Sequence, residues 1–236
     1  MNTSLQYFGF DYQVVRSRKR KHARIKVQDC QVFVVVPEST RDERIQQLLK
    51  QKNRWINEKL KVQASVPPVK PKEYVSGESF AYLGRNYRLK VINEKPEPVK
   101  LNKGRFMVQV PVDISEERRT QRIQDKLTRW YKEHALQRLT EKTERYAGIV
   151  GVQPKSVGIK SFKSRWGSCS KQGNIQYNWR IIIAPHHIVD YVVVHELCHM
   201  IHHNHSDKFW RLVESVLPEY QQDKEWLKLN GRLLTI

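Results

Sequence analysis

Residues 191–200 read YVVVHELCHM, and the interpretation of the whole chain turns on them. Three consecutive valines behind Pro185 mark an apolar helix, with the proline suited to its first turn. Side chains four residues apart on a helix point the same way, so His195 and His199 can reach one metal ion with Glu196 leaning over it. That is the HExxH arrangement of zinc hydrolases. Chance alone supplies the pattern in about one chain per hundred of this size, so the surroundings must decide. The alternative, a buried helix with incidental histidines, places three ionisable groups among Val192, Val193 and Val194 without partners, which is costly.

A tetrahedral zinc site open for catalysis takes three protein ligands and one water. His205 falls six residues after His199, where the apolar helix gives way to HHNHS, and is the natural third ligand. Its spacing equals that of the metzincin pattern HExxHxxGxxH, but His202 stands where that pattern has glycine. Asn204, which tolerates left-handed backbone, could make the turn instead. His202 and His203 read as solvated residues at a helix C-terminus. A carboxylate from Glu214 or Glu219 is the competing third ligand, although Glu214 suits the polar face of its own helix.

The chain has 236 residues and a formal net charge of +19. Residues 151–236 carry 11 Lys and Arg against 7 Asp and Glu, a balance of +4 that leaves +15 for residues 1–150. The densest stretch is RSRKRKHARIK over residues 16–26. It suits nucleic acid, nucleotide phosphates or an acidic protein, or else is the wet face of a hairpin. The odd set Cys30, Cys169 and Cys198 has no paired spacing, and neither a secretory leader nor a membrane-spanning apolar run is evident, so a cytoplasmic protein without membrane attachment is expected.

The expected fold class is α+β, in two parts. Residues 1–111 read as a basic, β-rich N-terminal region with strands at YQVVRS, ARIKV, QVFVVVP, SFAYLG, YRLKVI and RFMVQVP, one helix over about 41–60, and a Pro-rich connector over 61–72. Residues 112–236 read as the catalytic domain, helices on a small sheet. Thr40 with Glu43, and Asp113 with Glu116, have capping-box spacing at the two long helices. The second of these should run to about Gly148 and pack behind the metal helix through Ile123, Leu127, Trp130, Tyr131, Ala135 and Leu139. SVGIKSF and NIQYNWRIIIA read as strands around KSRWGSCSKQG. Ser206 should cap a short helix facing inward through Phe209 and Val213, and a last helix should end at Gly231. No internal repeat is visible.

The ordered set KSRWGSCS, GNIQYNWRIIIAP, DYVVVHELCHM and NHSDKFW, with the RSRKRKHARIKV start and the WYKEHA helix, resembles the YgjP-like metallopeptidase family, itself akin to SprT-like and Wss-type zincins. The resemblance implies a zincin-like catalytic domain. It implies one Zn2+ on His195, His199 and His205, with Glu196 catalytic and a peptide or protein as substrate.

Zinc on three neutral imidazoles lowers the pKa of bound water to about 7, and Glu196 is placed to take and return its proton. Arg165 and Lys163 are candidates for steadying an oxyanion, and solvated loop charges otherwise. Trp166, Gly167 and Ser168 could offer a strand edge to a peptide, with Asn178 orienting them. Cys169 could cap the zinc as a thiolate and keep the enzyme latent, or pack as a small apolar residue; Cys198 lies off the ligand face. Two other functions use the same features: phosphoanhydride hydrolysis of a nucleoside triphosphate such as UTP, and nucleic-acid binding with structural zinc.

Overall fold

Alternating burial along QVFVVVP (31–37) and RFMVQVP (105–111) builds a central strand in each half of the protein. A computed structural model describes residues 4–7, 9–28, 30–64 and 70–236. Its contacts divide the chain into two compact units, Met1–Pro68 and Val69–Ile236. The boundary expected after residue 111 therefore falls inside the second unit, because the strands before it pack on the same core as the metal helix. Of the expected connector, residues 61–64 are the end of a helix and 65–69 lie outside the described residues.

The first unit contains β1 (Ser4–Tyr7), β2 (Phe10–Ser17), β3 (Arg24–Gln28), β4 (Gln31–Pro37) and α1 (Asp42–Ala64). In the sheet order β1-β2-β4-β3 the central pair is parallel and the outer pairs antiparallel. Val32, Val34 and Val36 of β4 point one way, as the two-residue period requires, and bury themselves with Phe10 and Tyr12 against Ile45, Leu49 and Ile56 of α1.

The second unit opens with β5 (Ser79–Tyr82), β6 (Arg85–Asn93), β7 (Lys100–Asn102), β8 (Arg105–Val110) and the 35-residue helix α2 (Glu116–Val150). The order β5-β6-β8-β7 again has a parallel centre and antiparallel flanks. This is the first unit's topology repeated, contrary to the expectation of no repeat. The outer strand pairs register at matching places: Tyr7 faces Phe10 as Tyr82 faces Arg85, and Gln28 faces Gln31 as Asn102 faces Arg105. In that registration SLQYFG (4–9) meets SFAYLG (79–84) and QVFVVVP (31–37) meets RFMVQVP (105–111), and with the helix starts Asp42 and Glu116 in step, Leu49 meets Ile123, Lys52 meets Lys126, Trp55 meets Arg129 and Ile56 meets Trp130. The shared letters are too sparse to betray the repeat, whereas the hydrogen-bond order displays it.

Neither expected capping box forms the helix start. α1 begins at Asp42, and α2 at Glu116 with Ser115 in the cap position and no side-chain cap bond. α2 ends on Gly151, whose left-handed backbone (φ 78°) lets its N–H reach the Ala147 carbonyl.

A second sheet follows, ordered β10-β11-β9, from β9 (Ser156–Lys160), β10 (Gly167–Cys169) and β11 (Asn174–Asn178), with β9 parallel and β10 antiparallel to β11. The apolar run after β11 is not strand but a 3-10 turn, Trp179–Ile183, started by the Asn178 side chain accepting from the Arg180 N–H. The metal helix α3 (His186–Cys198), α4 (Asp207–Val216) and α5 (Tyr220–Asn230) complete the α+β fold. Among the described residues, no helix is long and apolar enough to cross a membrane.

α2 packs along α3 as expected. Lys142 pairs with Asp190 at 2.5 Å, both largely buried, and Thr143 exchanges a 2.9 Å hydrogen bond with the Tyr177 hydroxyl of β11. Tyr131, fully buried, donates to the Ala81 carbonyl at 2.7 Å and ties α2 to β5. At the β5–β6 turn, Leu83 N–H donates to the Ile182 carbonyl at 2.8 Å. Gly84 (φ 79°) lies so close to Pro185 that a Cβ would sit 2.8 Å from its Cα. Only glycine permits that approach at the entrance to α3.

Candidate metal centre

α3 is buried nearly all round, and its last turn delivers the chemistry. Val192, Val193, Val194, Leu197 and Cys198 fill the core, which fixes the helix's rotation and turns His195 and His199 to the side where α4 begins. His199 is the C-cap; the chain then leaves the helix and returns His205 just ahead of α4. Asn204 has no left-handed backbone, so the expected asparagine turn is not how the return is made.

The Nε2 atom of His205 lies 3.0 Å from that of His195 and 3.1 Å from that of His199. His199 Nδ1 sits 3.0 Å from the His202 carbonyl, to which it can only donate, so its Nε2 presents a lone pair to the cluster. Two nitrogens bonded at about 2.0–2.1 Å to one tetrahedral zinc are about 3.3 Å apart, close to the separations here. Three such nitrogens pointing at one another are tolerable only around a cation or shared proton, so the donor set fits a divalent ion. Burial, then the neighbouring His199 and His205, push the pKa of His195 down to about 3, leaving it a neutral ligand. Its Nδ1 is buried without a hydrogen-bond partner, and the ring is held instead by packing against Phe209 and Tyr191. Phe209 also stacks on His199, and Trp210 stacks on His205 at 5.5 Å and 20°. The aromatic start of α4 thus orients all three imidazoles.

Glu196 is 5% exposed, and burial raises its pKa to about 8, opposed by the charge of Arg165. A dication beside it would draw the proton off again. Gly167 of β10 makes room for this carboxylate: a Cβ there would lie 2.4 Å from Glu196 Oε1. Gly167 was expected only as part of a strand edge, and its clearance role has no sequence signal. His195, Glu196, His199 and His205 open into a cleft of about 620 Å³ with Arg165, Trp166 and the strand β10 on its rim.

The other expected residues divide. Arg165 and Trp166 line the cleft, and Trp166 packs against Gly231. Lys163 is exposed and does not line it. Asn178 is buried and donates to the carbonyls of Phe162 and Arg165, so it clasps the loop before β10 rather than facing the cleft. Glu214 and Glu219 are exposed and outside the histidine cluster, which removes the carboxylate alternative for the third ligand. Cys169 lines the cleft as a thiol, its pKa raised by burial and then by Glu196, and is not part of the cluster either. Cys198 is buried, with its pKa pushed up to about 12 by burial.

Neutral nitrogens converging beside a buried carboxylate at the foot of a cleft are the equipment of a metal-dependent hydrolase. The chain belongs to the YgjP-like metallopeptidase domain family, whose model matches residues 21–230. Membership makes it a metal-dependent peptidase by family. No curated protein matches the sequence. Two solved structures show partial similarity. The metallopeptidase zymogen abylysin of Pyrococcus abyssi is 27% identical over 40% of this chain and 94% of its own, with a TM-score of 0.36. The metallopeptidase zymogen jannalysin of Methanocaldococcus jannaschii is 20% identical over 40% and 96%, also at 0.36.

Proposed function

We propose that this chain is a zincin-like zinc peptidase in which His195, His199 and His205 hold one Zn2+ and Glu196 is the general base. The observation that carries the reading is the convergence of three Nε2 atoms on one point beside the carboxylate of Glu196. Zinc bound there supplies an activated water at neutral pH and polarises the scissile carbonyl.

The chain's own groups do the rest. Glu196 accepts the proton of the attacking water and returns it to the leaving amine, at an oxygen that Gly167 leaves unobstructed. Arg165, at the cleft rim, tempers the carboxylate and steadies negative charge on the substrate. β10 is the outer strand of its sheet, paired among the described residues with β11 alone, so its other edge can accept an extended peptide along the cleft. Three unpaired cysteines, with Cys30 exposed, suit a reducing compartment such as the cytoplasm.

A screen of peptides and nucleotides with zinc-loaded protein beside Glu196→Gln tests this. Peptide cleavage that the variant loses is the expected result. Release of phosphate or pyrophosphate from a nucleoside triphosphate, lost in the same variant and without peptide cleavage, would replace a peptidase by a phosphohydrolase.

A further inference from the structure

The repeated ββββα unit contains the same groove twice, between the strand that follows the long loop and the helix, lined by Lys52 in one copy and by Lys126 at the matching position of the other. In the second unit that groove is satisfied from within. Its loop brings Glu97, which pairs with Lys100 at 2.8 Å and whose carbonyl accepts from Lys126, while Arg129 has Glu133 at 3.9 Å. Arg129 stands there in the place of Trp55, while Trp130, the counterpart of the buried Ile56, is 5% exposed under the stacked ring of His134.

The groove of the first unit has none of these partners. Leu48, Lys52 and Trp55 lie on one face of α1 at four- and three-residue steps, opposite Ala23, Arg24 and Ile25 at the start of β3. No carboxylate lines this cavity of about 340 Å³, and no ion pair engages Arg24 or Lys52 among the described residues. The loop ahead of β3 adds Lys19, Arg20 and Lys21, all exposed, where the second unit has Glu97. Trp55 is 39% exposed. Over residues 1–68 the chain has 14 Lys and Arg against 6 Asp and Glu. One copy has thus neutralised its groove with an ion-paired arginine, and the other presents an open indole among cations.

We propose that the groove between β3 and α1 binds single-stranded nucleic acid, one base stacking on Trp55 while flanking phosphates meet Arg24, Lys52 and the basic loop at residues 19–21. The carboxylates of an acidic polypeptide would satisfy the cations but do not stack on the electron-rich face of an indole. A nucleobase brings both, and only an unpaired one can lay its face on a side chain.

The test is fluorescence anisotropy of a labelled oligo-dT of about 20 nucleotides with the full chain carrying Glu196→Gln, which leaves this groove untouched and separates binding from catalysis. Affinity should fall at least tenfold between about 50 and 200 mM salt. Trp55→Ala should weaken binding about fivefold or more at constant salt, Trp55→Phe should restore most of it, and Lys52→Gln should flatten the salt dependence. Thermal melting checks that each variant folds; if Trp55→Ala does not, Trp55→Phe and Lys52→Gln still decide. Wild-type affinity in Trp55→Ala, tighter binding of a duplex of equal length, or equal competition by polyglutamate would each overturn the proposal.

Discussion

Gly167→Ala should silence the peptidase without emptying its metal site. A Cβ at residue 167 would stand 2.4 Å from Glu196 Oε1, 2.6 Å from Cγ and 2.7 Å from Cδ, while ordinary contact begins near 3.4 Å. Residue 167 is held in register by its pairing with Tyr177, and Glu196 is rooted in a helix buried nearly all round, so the carboxylate end is the part that must yield. The deficit calls for a displacement of roughly 1 Å, which for a group that must meet a proton in flight costs about 100-fold in rate. That corresponds to about 2.7 kcal/mol at the transition state. The three histidines are untouched, so zinc stoichiometry should remain at wild type. The assay pairs kcat/KM on a fluorogenic peptide found in the screen with metal analysis of the same preparation. A fully loaded Gly167→Ala enzyme within threefold of wild type would refute the argument, showing either that the carboxylate has room to retreat or that its position is immaterial.

Other consequences are as direct. Glu196→Gln should retain zinc and lower kcat by about 10²–10⁴-fold, checked by turnover beside metal content. His205→Ala should lose tightly held zinc and the thermal stabilisation zinc confers on the wild type, read as metal content after dialysis against a weak chelator; full stoichiometry would exclude His205 as a ligand. In the metal-free protein, folding lifts the Glu196 carboxyl from 4.5 to about 8, so the folded state keeps a proton that the unfolded chain releases. Stability should therefore fall as pH rises from about 4.5 through 8, by on the order of 4 kcal/mol, a slope absent from Glu196→Gln; urea titrations of both proteins with chelator present measure the difference. Tyr131→Phe should cost about 1–3 kcal/mol in the same urea assay, because the Ala81 carbonyl is left buried without its donor.

Much of the centre was legible in the letters because its logic is local. His195, Glu196 and His199 share one helical turn, and the break in apolar character after Met200 singled out His205 against Glu214 and Glu219. Strand and helix runs were legible for the same reason, since burial of one face imposes a period of two or of 3.6. Asn178 misled because an asparagine near a motif looks the same whether it faces substrate or clasps a loop; its two carbonyl partners lie 13 and 16 residues upstream.

What the sequence by itself determined is the candidate metal ligands, the α+β class and the basic bias of the first half. These follow from residue types and short spacings, which survive without knowledge of what packs against what. The tertiary structure alone decided that the chain divides near residue 68 and that a ββββα unit is built twice. It also decided that Gly167 is the clearance for Glu196, and that Trp55 stands open where the second unit has the ion-paired Arg129. Each depends on atoms brought together from distant positions, where the identity of a residue says nothing until its neighbour in space is known.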